Sequence, residues 1–337
     1  MNKSIAKTVT SYVLIFMLFT TFSFGDIQTG ASHSKSVDWL LELSMDEWVA
    51  VAVEPHVDMA SLEYGYQRDE TSNITTDHAR YLLGDRAFGY NLTNQVSNIK
   101  SAQLPSGKFA DQIDGQGETL VNAHIWGVLG MYIAYEDDYD KEGALTWLKH
   151  AQNTDGSFSV YIDKNSTSGT AGSPDLTAMA VCALSVLGLD KTSPEIKDAM
   201  TYLEKSMDEA ERLRTGASAE TLAWSIMAKQ FLGESVSEET YEALGAYRRD
   251  DGSYLHLKNA RRGNRMATYH ALLALNGKET GVSWIKNLRF KNGIKTDAGT
   301  YLTIERIVDL AKSGLIKSGQ DGVFKWTDIR QALINKR

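Results

Sequence analysis

A single cysteine, Cys182, in 337 residues rules out any disulfide framework within the chain. A protein of this size without disulfides must be held by its core. Its 42% hydrophobic content suffices for one large domain or two ordinary ones. Basic residues are also in deficit, with 35 Lys and Arg against 43 Asp and Glu and a net charge of −8. The chain therefore lacks a basic footprint for nucleic acid, and anionic surfaces are poor partners for it. Long apolar runs are missing with one exception, "SYVLIFMLFTTFSF" (11–24), which follows Lys3 and Lys7. The run is short for a bilayer span and no basic cluster follows it. Ser23 and Gly25 stand three and one positions before Asp26, the layout of a secretory signal peptide. No cysteine follows to carry a lipid anchor. Removing Lys3 and Lys7 takes the charge from −8 to −10.

What the sequence does have is repetition. "QNTDGSF" (152–158) returns as "RRDDGSY" (248–254) and, more loosely, as "LPSGKF" (104–109). "SPDLTAMAVCALSVLG" (173–188) aligns with "SAETLAWSIMAKQFLG" (218–233) at an offset of 45, with Asp175 over Glu220. A third copy, "GNRMATYHALLALNG" (263–277), places Asn264 at the acidic position. Less faithful copies lie at 75–91, 117–134 and 300–316. These segments are too long for average strands and rich in Ala, Leu and Met, so they read as helices apolar on most sides. More polar amphipathic segments alternate with them at 141–152, 193–207, 237–249 and 279–290. The alternation predicts an all-α fold, an α/α toroid of five to six helical hairpins with an apolar inner ring and an amphipathic outer one. The Gly–polar–aromatic corner joins an outer helix to the next inner one. Its glycine supplies positive φ and its aromatic pins the loop to the core. Residues 1–25 read as signal peptide, 26–35 as a short linker and 36–337 as the repeat domain. The hairpin at 38–58 is expected to close the ring against the last helices.

"LKHAQNTDGSF" followed by "SPDLTAMAVCALSVLG" resembles the prenyltransferase/squalene-oxidase repeat. That repeat builds the toroids of terpenoid cyclases and protein prenyltransferase β subunits. The resemblance runs from about residue 36 to the end, is strongest between 100 and 290, and is closest to exported bacterial members without an established activity. It implies an inner barrel whose mouth or lumen holds ligands. The family's cyclases protonate their substrate with an Asp-x-Asp-Asp-Thr-Ala motif. Here only Asp175 and the pair Thr177–Ala178 match it, which suits Asp175 better as a helix cap than as an acid. The prenyltransferase zinc site needs Asp, Cys and His. His270 sits in a similar segment, but Glu220-Thr221-Leu222 stands where Asp-x-Cys belongs. His270 then reads as a hydrogen-bonded packing residue, with no metal and no cofactor expected. Cobalamin carriers add a small β domain to a similar toroid, and no run of strands follows residue 290.

The candidate site residues are the carboxylates Asp175 and Glu220, with His124, Trp126, Trp224, Tyr269 and His270 as residues lining the lumen. No catalytic set is complete among them. The leading reading is an exported binding or surface module. It would take an apolar or glycan ligand in the lumen, or a protein or cell-wall partner at the loops, of which 161–174 is the longest polar one. The alternatives are a squalene-type cyclase with Asp175 as Brønsted acid, or a glycan-processing enzyme using two lumen carboxylates. A filled lumen favours binding through loops. "NARRGNR" (259–265) reads as solvated or ion-paired arginines, and "YEDDYDKE" (135–142) as an acidic connection without the ligand spacing of a calcium loop. The mature protein is expected to begin at Asp26. N-terminal sequencing of protein secreted by its own host checks this, and an intact residue 1 would overturn it.

Overall fold

The structure is a computed structural model that describes residues 31–62, 68–69, 71–162, 171–212, 216–291, 294–295 and 301–302. The signal-like run, most of the 161–174 loop and the helices expected beyond 302 lie outside the described residues. The chain divides into two compact units, Thr29–Arg289 and a second formed by Met1–Gln28 with Phe290–Arg337. The described part of the second is a short antiparallel ladder of β1 (Ile294–Lys295) and β2 (Tyr301–Leu302).

The larger unit is an α/α toroid. Its inner helices are α2 (Glu47–Val53), α3 (Thr75–Phe88), α5 (Val121–Ile133), α7 (Pro174–Val186), α9 (Ala219–Leu232) and α11 (Arg265–Thr280). Each packs on the next, and α11 packs on α2, so the ring is closed. Outside lie α1 (Ala31–Leu41), α4 (Thr93–Ser101), α6 (Lys141–His150), α8 (Pro194–Arg212) and α10 (Glu238–Gly245). A last helix, α12 (Trp284–Phe290), follows α11. Four of the six inner helices start on polar caps: Asp46, Ser173, Ser218 and Asn264 each accept a backbone N–H from the first turn. Asp175 is therefore not the cap of α7. Ser173 is, and Asp175 stands two residues inside the helix.

The N-terminal hairpin closes the ring as the sequence suggested. Buried Asn276 of α11 donates to the Ala52 carbonyl of α2 at 2.9 Å and meets His56 Nε2 at 2.7 Å. On the outside, Ser36 Oγ donates to Gly252 O at 2.7 Å, and Lys35 Nζ to Asp250 O at 3.1 Å.

The repeated corners explain how outer and inner helices are held in register. Gly107, Gly156 and Gly252 all have positive φ, at 84°, 87° and 88°. In each, the following aromatic (Phe109, Phe158 or Tyr254) is buried and forms a bridge back to the end of the preceding helix. Its backbone N–H then donates to the fourth residue of the next inner helix: Phe109 to His124 Nδ1 (3.0 Å), Phe158 to Thr177 Oγ1 (2.9 Å) and Tyr254 to Thr268 Oγ1 (2.9 Å). The corner glycines press against the neighbouring outer helix, where a Cβ would lie 2.1 Å from Gly143 on α6, 2.3 Å from Asp198 on α8 and 2.4 Å from Lys35 on α1. The last contact puts α1 in the place that α6 and α8 hold for earlier corners.

These contacts predict a graded response to alanine. Gly156→Ala and Gly252→Ala each meet left-handed backbone and main-chain overlap, and should cost about 2–4 kcal/mol by chemical denaturation. Gly188→Ala shares the positive φ, 104°, with no atom within 4 Å of the added Cβ. It should cost only about 1 kcal/mol. Equal losses at all three positions would refute the docking role of the corner.

Candidate functional site: the ring lumen and its mouth

Helical spacing sorts the inner-helix side chains into layers. The second and sixth residues of a helix lie one turn apart on one face. The sixth residues are Trp126 on α5, Trp224 on α9 and His270 on α11. Rings on α5 and α9, which are not neighbours in the ring, meet directly, with Trp126 and Trp224 6.1 Å apart between centroids. Such a contact is only reachable across the lumen, so this face points inward. Trp48 of α2 is the hub. Its ring lies 5.1 Å from Trp126, 6.4 Å from Trp224, 5.7 Å from Tyr269 in a parallel stack, 5.4 Å from His270 and 5.9 Å from Trp284 of α12. Trp224 is fully buried, and Trp126, Tyr269 and His270 nearly so. One turn deeper, the ninth residues Leu83, Leu129, Cys182, Met227 and Leu273 are all fully buried. The middle of the lumen is thus filled by side chains.

Burial sets the chemistry of this interior. It holds His270 down to about 3, so the ring is neutral, and neither nitrogen has a hydrogen-bond partner. The expected hydrogen-bonded packing role is corrected: His270 packs among rings but is not hydrogen-bonded. The indole N–H groups of Trp224 and Trp284 are likewise unpaired. Burial pushes the Cys182 thiol up to about 12, which keeps it protonated and unreactive at neutral pH.

His124 departs from its expected place. It is the fourth residue of α5 and points away from the lumen, into the joint with α6. Nδ1 accepts from Phe109 N–H, Nε2 donates to Ala144 O at 3.1 Å, and the Trp147 ring lies tilted against it, 4.6 Å between centroids. Burial holds it neutral, at about 3. It belongs to the scaffold.

Asp175 and Glu220 lie at the mouth, each the second residue of its helix, above the aromatic layer. Thr221 Oγ1 donates to Asp175 Oδ1 at 2.6 Å, and His256 Nδ1 meets Glu220 Oε2 at 2.9 Å. Burial raises the Asp175 carboxyl, against the Thr221 hydrogen bond and His256, which lower it. Burial also raises Glu47, opposed by its backbone hydrogen bond and Arg80. Arg265 pairs with Asp46 at 3.0 Å, and Arg80 bridges Glu47 and Asp77. Tyr269 lies among these groups, and burial raises its hydroxyl well above the usual phenol range. Asn264 caps α11, so the residue level with Asp175 and Glu220 is Met266, which is exposed. Four large exposed apolar side chains, Ile74, Val160, Tyr161 and Met266, also lie at this mouth, beside the starts of α3, α5 and α11. Trp48 and Trp284, not among the residues expected in the lumen, complete the aromatic layer. Trp48 stands two residues after the cap Asp46, the offset shared by Asp175 and Glu220, and that spacing was the available signal. Among the described residues, no cluster of His, Cys, Asp and Glu is placed to hold a metal, and no helix is long and apolar enough to cross a membrane.

Known proteins place the fold and the family. A protein geranylgeranyltransferase-I from Candida albicans, solved with GGPP, aligns over 88% of this chain and 96% of its own at a TM-score of 0.50 and 11% identity. That likeness supports the toroid fold expected from the repeats. A type II terpene cyclase from Scytonema, MstE, in complex with merosterolic acid A, aligns over 74% of this chain and 96% of its own at a TM-score of 0.47 and 15% identity. No curated protein matches the sequence. The A-macroglobulin TED domain description matches residues 59–283, about two-thirds of the 337 residues and nearly the whole ring from the end of α2 to the start of α12. The chain belongs to the A-macroglobulin TED domain family.

Proposed function

We propose that this protein is an exported binding module that engages its partner at the mouth of the ring and performs no chemistry in the lumen. The observation that carries this reading is the packed aromatic layer. Trp48, Trp126, Trp224, Tyr269, His270 and Trp284 occupy the space that a polyprenoid or sugar chain would need. Export rests on the sequence at 11–26, which lies outside the described residues. The cyclase alternative fares less well. Asp175 is bound by Thr221 at the rim and lacks acidic neighbours in its motif. The aromatic rings that would steady a cation touch one another instead. Glycan cleavage by Asp175 and Glu220 requires an open groove in which the two acids flank the glycosidic bond. Here the acids are tied to Thr221 and His256.

The mouth has a definite chemistry. Arg80 pairs with Glu47 and Asp77, Lys108 with Asp111 and Arg265 with Asp46, whereas Asp175 and Glu220 are held by Thr221 and His256 and keep their charge uncancelled by lysine or arginine. The exposed Ile74, Val160, Tyr161 and Met266 add apolar contacts at the same rim. An acidic surface edged with apolar side chains suits a cationic, partly apolar protein segment.

Two measurements test this. His270→Phe replaces an unpaired buried polar ring by an apolar one of similar shape, and should stabilise the fold by about 1–2 kcal/mol at pH 7. The native pKa of His270 is depressed to about 3. The unfolded chain therefore binds the extra proton as pH falls below about 6.5, and stability drops by about 2 kcal/mol between pH 7 and 5. Glu47 and Asp175, whose pKa values are raised, work in the opposite sense, so the histidine share is read as the difference between variant and parent. A destabilised His270→Phe variant would argue for a polar role of the lumen. For the mouth, a peptide alternating lysine and leucine should bind the full chain. Affinity should fall at least tenfold in the Asp175→Asn/Glu220→Gln double variant and fall again with added salt. Absent or salt-independent binding overturns the reading. So does turnover of squalene or geranylgeranyl diphosphate that is lost in Asp175→Asn.

A further inference from the structure

The inner helices α2 and α3 follow each other directly in the chain, joined among the described residues by two short 3₁₀ turns, Glu54–His56 and Met59–Ser61, in place of an outer helix. At the other described joints an outer helix covers the outward face of the inner ones. On α3 that face carries His78, Tyr81 and Asp85, and a cleft of about 480 Å³ opens beside it, between α4 and Arg68.

The lining is polar yet electrically neutral. Arg68 Nη1 grips both oxygens of fully buried Asp85, at 2.9 and 2.8 Å, which cancels the charge of each. What remains is amide and phenol. Asn94 is exposed on α4, and Gln95 and Asn98 lie deeper. His78 is fixed by the Ser72 carbonyl at 2.8 Å, and its Nδ1 meets the Gln95 carboxamide at 2.8 Å and Asn98 Nδ2 at 3.2 Å, so the ring holds both amides and leaves one polar atom of each for a ligand. Tyr90 is 46% exposed at the rim, and its ring is stacked on Phe88 at 5.4 Å and 15°. An aromatic face backed by a second ring is a fixed platform rather than a mobile side chain.

We propose that this cleft binds an uncharged, hydroxyl-rich ligand, a short glycan segment, stacked on Tyr90 and hydrogen-bonded by Asn94, Gln95 and Asn98. Sugar hydroxyls both donate and accept, so a hydroxyl can pair with exposed Asn94 in either sense and with whichever atom of Gln95 and Asn98 His78 leaves free. The apolar C–H face of a pyranose suits the exposed tyrosine ring. Neutralised Arg68 offers little to a phosphate or carboxylate, and no described strand edge borders the cleft to take an extended peptide. The volume lies within the ordinary range of small-molecule sites, about 300–1,000 Å³. This site is separate from the mouth, and neither reading depends on the other.

Saturation-transfer difference NMR on the full chain tests it, with cellobiose, maltose, N,N′-diacetylchitobiose and triglycine as probes. At least one disaccharide should receive saturation. Its affinity should fall at least tenfold in Tyr90→Ala and severalfold in Asn94→Ala, two exposed positions whose replacement leaves the fold intact. The Asp175→Asn/Glu220→Gln variant should bind it as the parent does. The proposal is overturned if no disaccharide binds, if Tyr90→Ala and Asn94→Ala bind as well as the parent, or if triglycine alone shows dependence on Tyr90.

Discussion

Trp48 is the contact on which the rest of the ring depends. It comes from α2, the short helix that closes the circle between α3 and α11, and its ring touches aromatic rings from α5, α9, α11 and α12. A closed ring of helices faces a geometric difficulty. Six helices leave an axial space that is either lined for a ligand or filled at native packing density. Here one side chain contributed by the closing helix touches most of the axial cluster, so closure and filling are one event. The energetic consequence is cooperativity. Losing α2 would open the ring and expose the aromatic layer together.

Outside this hub the scaffold is a hydrogen-bonding device repeated three times. A corner aromatic donates its backbone N–H to the fourth residue of the next inner helix, and the corner glycine lets the loop lie flat on the next outer helix. Two copies use threonine, whose hydroxyl also donates back to the cap carbonyl of Ser173 or Asn264 at 2.7 Å. The third uses His124, a longer acceptor whose second nitrogen reaches α6. This accounts for a buried histidine that resembles a site residue in the sequence. It substitutes for a threonine and spans a wider joint.

The toroid, its alternation of inner and outer helices, the corner glycines and the closing hairpin were legible because each leaves a local signal: Ala-rich apolar helices, amphipathic partners and Asp-Gly turns. The layers inside the ring were less legible. Trp126 and Trp224 could be grouped from the sequence because both stand at the same helical position. The third copy was set two residues out of step, since Asn264 was aligned with Asp175 although it aligns with the cap Ser173. The error hid Met266 at the mouth. α5 begins at Leu120 without a side-chain cap, so nothing local marks its register. Trp284 belongs to a seven-residue helix whose position is set by tertiary contacts, Lys286 with the Phe231 carbonyl and Arg86 with the Leu288 carbonyl. No sequence period encodes those.

Filling the lumen changes where a toroid can act. The second-residue layer, with Asp175, Glu220 and Met266, would form the upper wall of a deep pocket if the space beneath it were empty. With indoles immediately below, the same carboxylates become the floor of a shallow mouth, Glu220 buried in it and Asp175 half-buried. On the reading proposed above, their electrostatics act over a partner's face and not on a buried reaction centre. The raised carboxyl of Asp175 is a burial effect at this floor, and it is offset by a threonine hydroxyl and a histidine, not reinforced by a second acid. A proton donor for an alkene needs the opposite arrangement, an acid kept protonated and aimed into an apolar cavity. Asp175, Thr177 and Ala178, the residues that match the cyclase motif, therefore stand above a packed layer and not above a cavity. The two surfaces proposed for function are accordingly the rim and the one joint of the ring where the described residues include no outer helix.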